Sequence, residues 1–234
     1  MAEIKRATRI QTSFLNAAEK KVLVWLAERQ PKWVTSDTLT FVGFIGSVLI
    51  FAGFLLTNYS IYWLWLAILG LIVNWYGDSL DGTIARVRNT QRPIYGYYLD
   101  HTMDVINELL MFVGIGLSPL VHLNIALFAF IFYLILTFNV SVDAHLKQEF
   151  KLTYAKLGPT EFRLIIIIIC LLYIFVPAIS NYSRTHLIIG QYFTLTIFDY
   201  IAITITAILA VICLTAFISD LKGYAKIDPP KKFE

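Results

Sequence analysis

The chain has 234 residues, 58% of them apolar and only 15% charged, with a net charge of +3. Soluble globular domains carry roughly 45–50% apolar and 25% charged residues. The balance excludes an ordinary soluble domain, a disordered tail and a disulfide scaffold, and so small a charge gives no footing for nucleic-acid binding. Cys170 and Cys213 lie inside apolar runs with no CxxC or zinc spacing, and they read as buried free thiols.

In chain order, residues 1–38 form a polar juxtamembrane segment with no signal-peptide pattern. Within it Ile10, Phe14, Ala18, Val22 and Leu26 recur every fourth residue beside Trp25, accompanied by Lys20, Lys21 and Arg29. This pattern predicts an amphipathic helix, lying in the cytoplasmic membrane interface or packed on the protein's own cytoplasmic face. Thr35-Ser36-Asp37-Thr38 then supplies helix-capping residues.

A bilayer core takes about 20 apolar helical residues. Six stretches qualify, over 39–56, 61–80, 97–117, 123–142, 162–179 and 197–217. The expected architecture is therefore all-α and polytopic. Six transmembrane helices fill 39–220, followed by a tail over 221–234. Eighteen of the nineteen Lys and Arg residues fall before the first stretch, in the even-numbered connections or after the sixth. Arg184 alone falls on the other side. By the positive-inside rule, both termini and the even connections are expected in the cytoplasm.

Four carboxylates break the apolar pattern at the cytoplasmic ends of stretches two and three. Asp78, Asp81, Gly82 and Ala85 follow i, i+3, i+4, i+7, and Gly96, Asp100 and Asp104 follow i, i+4, i+8. A short basic loop joins the two helices, so the stripes are expected to face one another. Acids within a span are costly, and four together repel. Divalent cations resolve the conflict, and an all-oxygen donor set points to Mg²⁺ or Mn²⁺. Gly82 and Ala85 leave a groove beside the acids, and Arg86 suits a phosphate oxygen. A nucleotide pyrophosphate fits such a pocket.

The pattern D-x2-D-G-x2-A-R-x9-G-x3-D-x3-D, from Asp78 to Asp104, resembles the signature of the CDP-alcohol phosphotransferases at every fixed position. The resemblance implies a six-span, dimeric membrane enzyme that transfers a substituted phosphate from a CDP-alcohol to an acceptor hydroxyl, releasing CMP. It also implies roles. Asp78, Asp81 and Asp100 would hold two divalent cations. Asp104 would be the general base and would also touch a metal, while Gly82, Ala85, Arg86 and Gly96 would shape the CDP site.

His101, directly after Asp100, resembles the choline/ethanolamine branch, as does Thr160-Glu161 at the start of the fifth stretch. That branch implies a CDP-amino-alcohol donor and a lipid alcohol such as diacylglycerol as acceptor. Ser36-Asp37-Thr38-Leu39-Thr40 departs from the Pro-Asn-x-Leu/Ile-Thr of many members. Arg163 supports an alternative, a CDP-diacylglycerol donor with a polar acceptor such as inositol phosphate or glycerol phosphate. His101 is a competing base or a packing residue. Glu108 continues the Gly96 stripe inward and is a candidate for the acceptor hydroxyl, alongside Glu161 and Arg163. Asn107 reads as a helix-packing hydrogen bonder. Asp143, His145, Lys147 and Glu149 read as a solvated helix end, and Asp199 and Asp220 as caps or interface residues. The rival class is a cation- or proton-coupled transporter, because intramembrane acids also mark ion pathways.

Overall fold

The computed structural model describes residues 8–10, 16–147, 149–151, 159–188 and 190–230. Phe14, Lys5, Arg6, Lys156, Lys231 and Lys232, and the side chains of Ile10, His145, Lys147 and Glu149, lie outside the described residues. In chain order the elements are β1 (Thr8–Ile10), α1 (Asn16–Arg29), α2 (Ser36–Leu56), α3 (Leu64–Val87), α4 (Pro93–Gly116), α5 (Leu123–Lys147), β2 (Glu149–Lys151), α6 (Pro159–Phe175), α7 (Pro177–Ser180), β3 (Ser183–Ile188), β4 (Gln191–Thr196) and α8 (Ile197–Ile227).

The fold is dominated by helices, and each of the six expected apolar stretches lies largely on a long one. Among the described residues, four helical segments are long and apolar enough to cross a membrane: Ser36–Leu56, Ile61–Val87, Leu123–Asp143 and Ile197–Ile227. The other two fall short for visible reasons. Asp100, Asp104 and Glu108 lower the hydropathy of α4, and α6 ends at Phe175 after 17 residues, just before Pro177. Helix α8 runs on past residue 217 to Ile227, so the expected tail begins as helix.

Two small strand pairs depart from an all-helical chain. Strands β1 and β2 pair in parallel, and β3 and β4 form an antiparallel hairpin. The hairpin turns at Gly190, whose φ of 76° suits glycine. At its end Thr196 caps α8 in a capping box with Asp199. Asp199 is wholly buried and also accepts from the His122 backbone at 2.8 Å and lies 2.9 Å from His122 Nδ1. The capping role expected for Asp199 is thus present. Asp220 and Asp143 tie α8 to α5, through Asn139 at 3.1 Å and Tyr224 at 2.6 Å.

Helices α2 and α3 pack backbone to backbone. A Cβ on Gly46 or Gly77 would overlap the main chain of Asn74 or Gly43 across the interface, so glycine is required for this approach. Helix α4 leans on the other side of α2, where Gly114 meets Phe51. Around this trio Ile50, Phe54, Leu71, Phe112, Phe130 and Ile166 form the main apolar core.

Helix α1 packs on α3 through Leu23 and Ala27, with Leu26 partly covered. Val22 and Trp25 remain exposed, with Arg29 lying 4.2 Å over the Trp25 ring. The inward face is therefore set one residue beyond the expected stripe. It is polar at its margin: Glu19 accepts from Trp75 Nε1 at 2.8 Å and from Thr160 Oγ1 at 2.5 Å.

Candidate active site

The end of α3 and the start of α4 build the site. Helix α3 stops at Arg88, and Asn89 takes a left-handed φ of 55°. Asn89 N donates to Arg86 O at 3.2 Å and Thr90 N to Ala85 O at 2.9 Å, the two bonds of a Schellman stop. Pro93 then starts α4 in the first helical position, where its missing N–H costs nothing. The helices double back within five residues. Both lean on α2 rather than on each other, leaving a groove between them.

The acids line that groove. Carboxylate oxygens of Asp78, Asp100 and Asp104 lie within 4.8 Å of one another. The facing of the two stripes is as the spacing predicts. Asp81 is turned the other way, toward α2, where Thr40 Oγ1 donates to it at 2.6 Å and the Gly82 N–H also reaches it. It still lies near enough to Asp78 and Asp100 to feel their charges. Thr35 caps α2 in a capping box with Thr38, which fixes the helix start that presents Thr40.

One guanidinium meets the cluster. Arg163 of α6 donates from Nη2 to Asp78 at 2.6 Å and from Nε to Asn74 Oδ1 at 2.8 Å. Asn74 is itself buried and donates to Gly43 O at 3.1 Å and Ser47 Oγ at 2.9 Å. A polar chain thus runs from α2 through α3 to α6 and ends on an acid of the site. Arg163 is held on Asp78, one of the three clustered carboxylates. Their all-oxygen donors, within 4.8 Å of one another, are of the kind that suit a hard divalent ion such as Mg²⁺ or Mn²⁺.

Beside the acids the groove is open. A Cβ on Gly96 would meet nothing within 4 Å, and one on Gly82 would meet only the Arg86 guanidinium, at 3.3 Å. Arg86 lies over Gly82 and donates to Thr83 Oγ1 at 3.0 Å. Ala85 is buried, and the expected cradle residues Gly82, Arg86 and Gly96 border this opening. His101 stacks on Tyr97 with ring centroids 4.0 Å apart, its Nδ1 3.0 Å from Tyr97 O and 3.7 Å from Asp100.

Further along α4, Glu108 is half-buried, and Tyr133 on α5 lies close enough to act on its carboxylate. Glu161 is buried at the start of α6. Thr40, Asn74 and Tyr133 were not singled out from the sequence. Asn74 carried a signal, lying one turn before Asp78 on the same stripe. Thr40 sat in the fragment 36–40 that departs from the family pattern. Tyr133 is one aromatic among many in an apolar run and carried none.

The family model for CDP-alcohol phosphatidyltransferase matches residues 33–214, most of the chain. The chain is also 32% identical over 108 residues to cholinephosphotransferase 1 of Xenopus laevis. That alignment covers 43% of this chain and 26% of the relative, so the chain spans about a quarter of the relative's length.

Proposed function

Because the chain belongs to the CDP-alcohol phosphatidyltransferase family, we propose that it transfers a substituted phosphate from a CDP-alcohol to an acceptor hydroxyl, releasing CMP. The observation that carries this reading is the convergence of Asp78, Asp100 and Asp104 beside an open, glycine-bordered groove. The transporter alternative has no such groove to explain.

In this reading Asp78, Asp100 and Asp104 would hold a divalent cation, with Asp81 as the partner for a second, and Mg²⁺ or Mn²⁺ bound there would supply positive charge against the pyrophosphate and the departing CMP. Gly82, Ala85, Arg86 and Gly96 cradle the nucleotide, Arg86 swinging from Thr83 toward phosphate. His101 takes the proton of the attacking hydroxyl. Its Nδ1, donating to Tyr97 O, leaves Nε2 as the basic position. As the new O–P bond forms, the proton passes to Nε2 and the P–O bond to CMP breaks with its electron pair. Asp104, the base expected from the motif, lies within the carboxylate cluster that would hold a cation, where its charge would be engaged.

The donor we propose is a CDP-amino-alcohol and the acceptor a lipid alcohol such as diacylglycerol. The name of the Xenopus relative supports this choice, as does Arg163, whose charge is already met by Asp78. One observation favours the second reading, a CDP-diacylglycerol donor with a phosphate-bearing acceptor: Arg163 Nη1 has no partner among the described residues. We further propose six spans, with α4 and α6 crossing despite their acids and length, cytoplasmic termini and active site, and a homodimer.

The test is a panel of CDP-alcohols and acceptors given to the purified protein, with products identified by mass. Phosphatidylcholine- or phosphatidylethanolamine-type products support the proposal. Products made only from CDP-diacylglycerol move the assignment to the second reading.

A further inference from the structure

We propose that Glu108, Asn107 and Tyr133 seat the hydroxyl-bearing end of the acceptor alcohol, one helical turn deeper than Asp104. The inference rests on the transferase reading and deepens it.

Among the described residues, the buried side-chain polar atoms without a hydrogen-bond partner are Asn107 Oδ1, Glu108 Oε2 and Arg163 Nη1. Glu108 and Arg163 share a neighbourhood, since Arg163 acts electrostatically on the Glu108 carboxylate, and Asn107 is the preceding residue on α4. Tyr133 acts on that carboxylate from α5 and also feels Asp104 and Arg163. Buried polar groups are costly to leave unpaired, more so where no water competes, so such a group of orphans marks a place built for something polar.

The chemistry of the orphans narrows what that is. Two are acceptors and one is a donor. A hydroxyl satisfies both kinds at once, donating to Glu108 Oε2 and accepting from Arg163 Nη1. A phosphate would oppose the carboxylate, and a quaternary ammonium would offer nothing to accept from the guanidinium. Position narrows it further. Four residues along α4 place Glu108 about 6 Å beyond Asp104, away from the basic loop between α3 and α4. A hydroxyl held there lies on the membrane side of the carboxylates, while a soluble nucleotide reaches them from the other side. Val105, Ile106 and Leu109, which flank these polar residues on α4, are exposed apolar groups suited to acyl chains.

The test is steady-state kinetics of Glu108→Gln and Tyr133→Phe in lipid nanodiscs with a CDP-alcohol and diacylglycerol, after confirming CMP release by the unaltered protein. The assignment predicts that acceptor KM rises about threefold to tenfold in Glu108→Gln, the loss expected when one hydrogen bond is weakened. CDP-alcohol KM stays unchanged in both variants, and Tyr133→Phe shows the smaller rise in acceptor KM. Unchanged acceptor KM in both variants would mean that a buried water occupies the place, and would overturn the assignment. A rise in CDP-alcohol KM instead would give the residues to the donor headgroup and overturn it equally. No CMP release by the unaltered protein with any donor would sink the transferase reading, and this assignment with it.

Discussion

The base role proposed for His101 rests on two contacts that fix its ring and its tautomer. The stack on Tyr97 holds the plane, and the 3.0 Å bond from Nδ1 to Tyr97 O places the proton on that nitrogen. Removing it should therefore separate chemistry from binding. His101→Ala is expected to lower kcat by about 10²–10⁴, the usual worth of a positioned base, while CDP-alcohol affinity stays intact. Asp104→Asn should instead weaken metal and CDP-alcohol binding together, because its oxygen belongs to the acidic cluster. Measured side by side, near-normal turnover in the His101 variant with loss confined to kcat in the Asp104 variant would return the base role to aspartate. Gly82 gives a second residue-scale prediction. A side chain there meets only the movable Arg86 guanidinium, so Gly82→Leu should fold normally and lose CDP-alcohol binding. Unchanged cytidine-nucleotide affinity in a folded Gly82→Leu protein would place the cradle elsewhere. The aspartate pattern was readable because helical spacing alone sets which acids share a face. Whether Asp81 turns to Thr40 or to the cluster was not, since that depends on a partner 41 residues away.

The α2–α3 pair is the element on which the site is mounted, and its spacing is set by glycine. An added Cβ at Gly77 overlaps the backbone of Gly43, and backbone cannot move aside as a side chain can. Gly77→Val should cost more than the roughly 1–3 kcal/mol of ordinary core overpacking, and thermal scanning should show a large drop in melting temperature. Gly96→Ala, which meets nothing within 4 Å, should melt close to the parent protein. Equal stability of the two variants would contradict the packing described. Helix positions were legible because long apolar runs admit little else, and the Thr35 capping box lay in the sequence as a local signal. The β3–β4 hairpin was missed because its residues 183–196 are short, mixed and lie between two apolar stretches. The inward face of α1 was misplaced by one residue because Leu23 and Ala27 compete with an equally regular stripe through Val22. Only packing on Leu80 and Ile84 decides between them.

At the scale of the molecule, the acids, the glycine groove, Arg86, Arg92 and Arg163 gather where α3 ends and α4 and α6 begin. The polar chain from Ser47 through Asn74 and Arg163 to Asp78 joins three helices to that end. Helix α1 is fastened there too, since Glu19 bonds both Trp75 on α3 and Thr160 on α6. This gathering suits the proposed transfer, with acids that could hold a cation beside the open glycine-bordered groove. The acid motif was legible in the sequence, while the approach of Tyr133 to Glu108 depends on how α4 and α5 pack. The most direct test of the central claim is CMP release by purified protein supplied with a CDP-amino-alcohol and diacylglycerol, followed across chelation and metal return. CMP should appear with Mg²⁺ or Mn²⁺, stop on chelation, resume when metal is restored, and be absent from Asp100→Asn at every metal concentration. Chelator-resistant CMP release, or full activity in Asp100→Asn, would contradict the account.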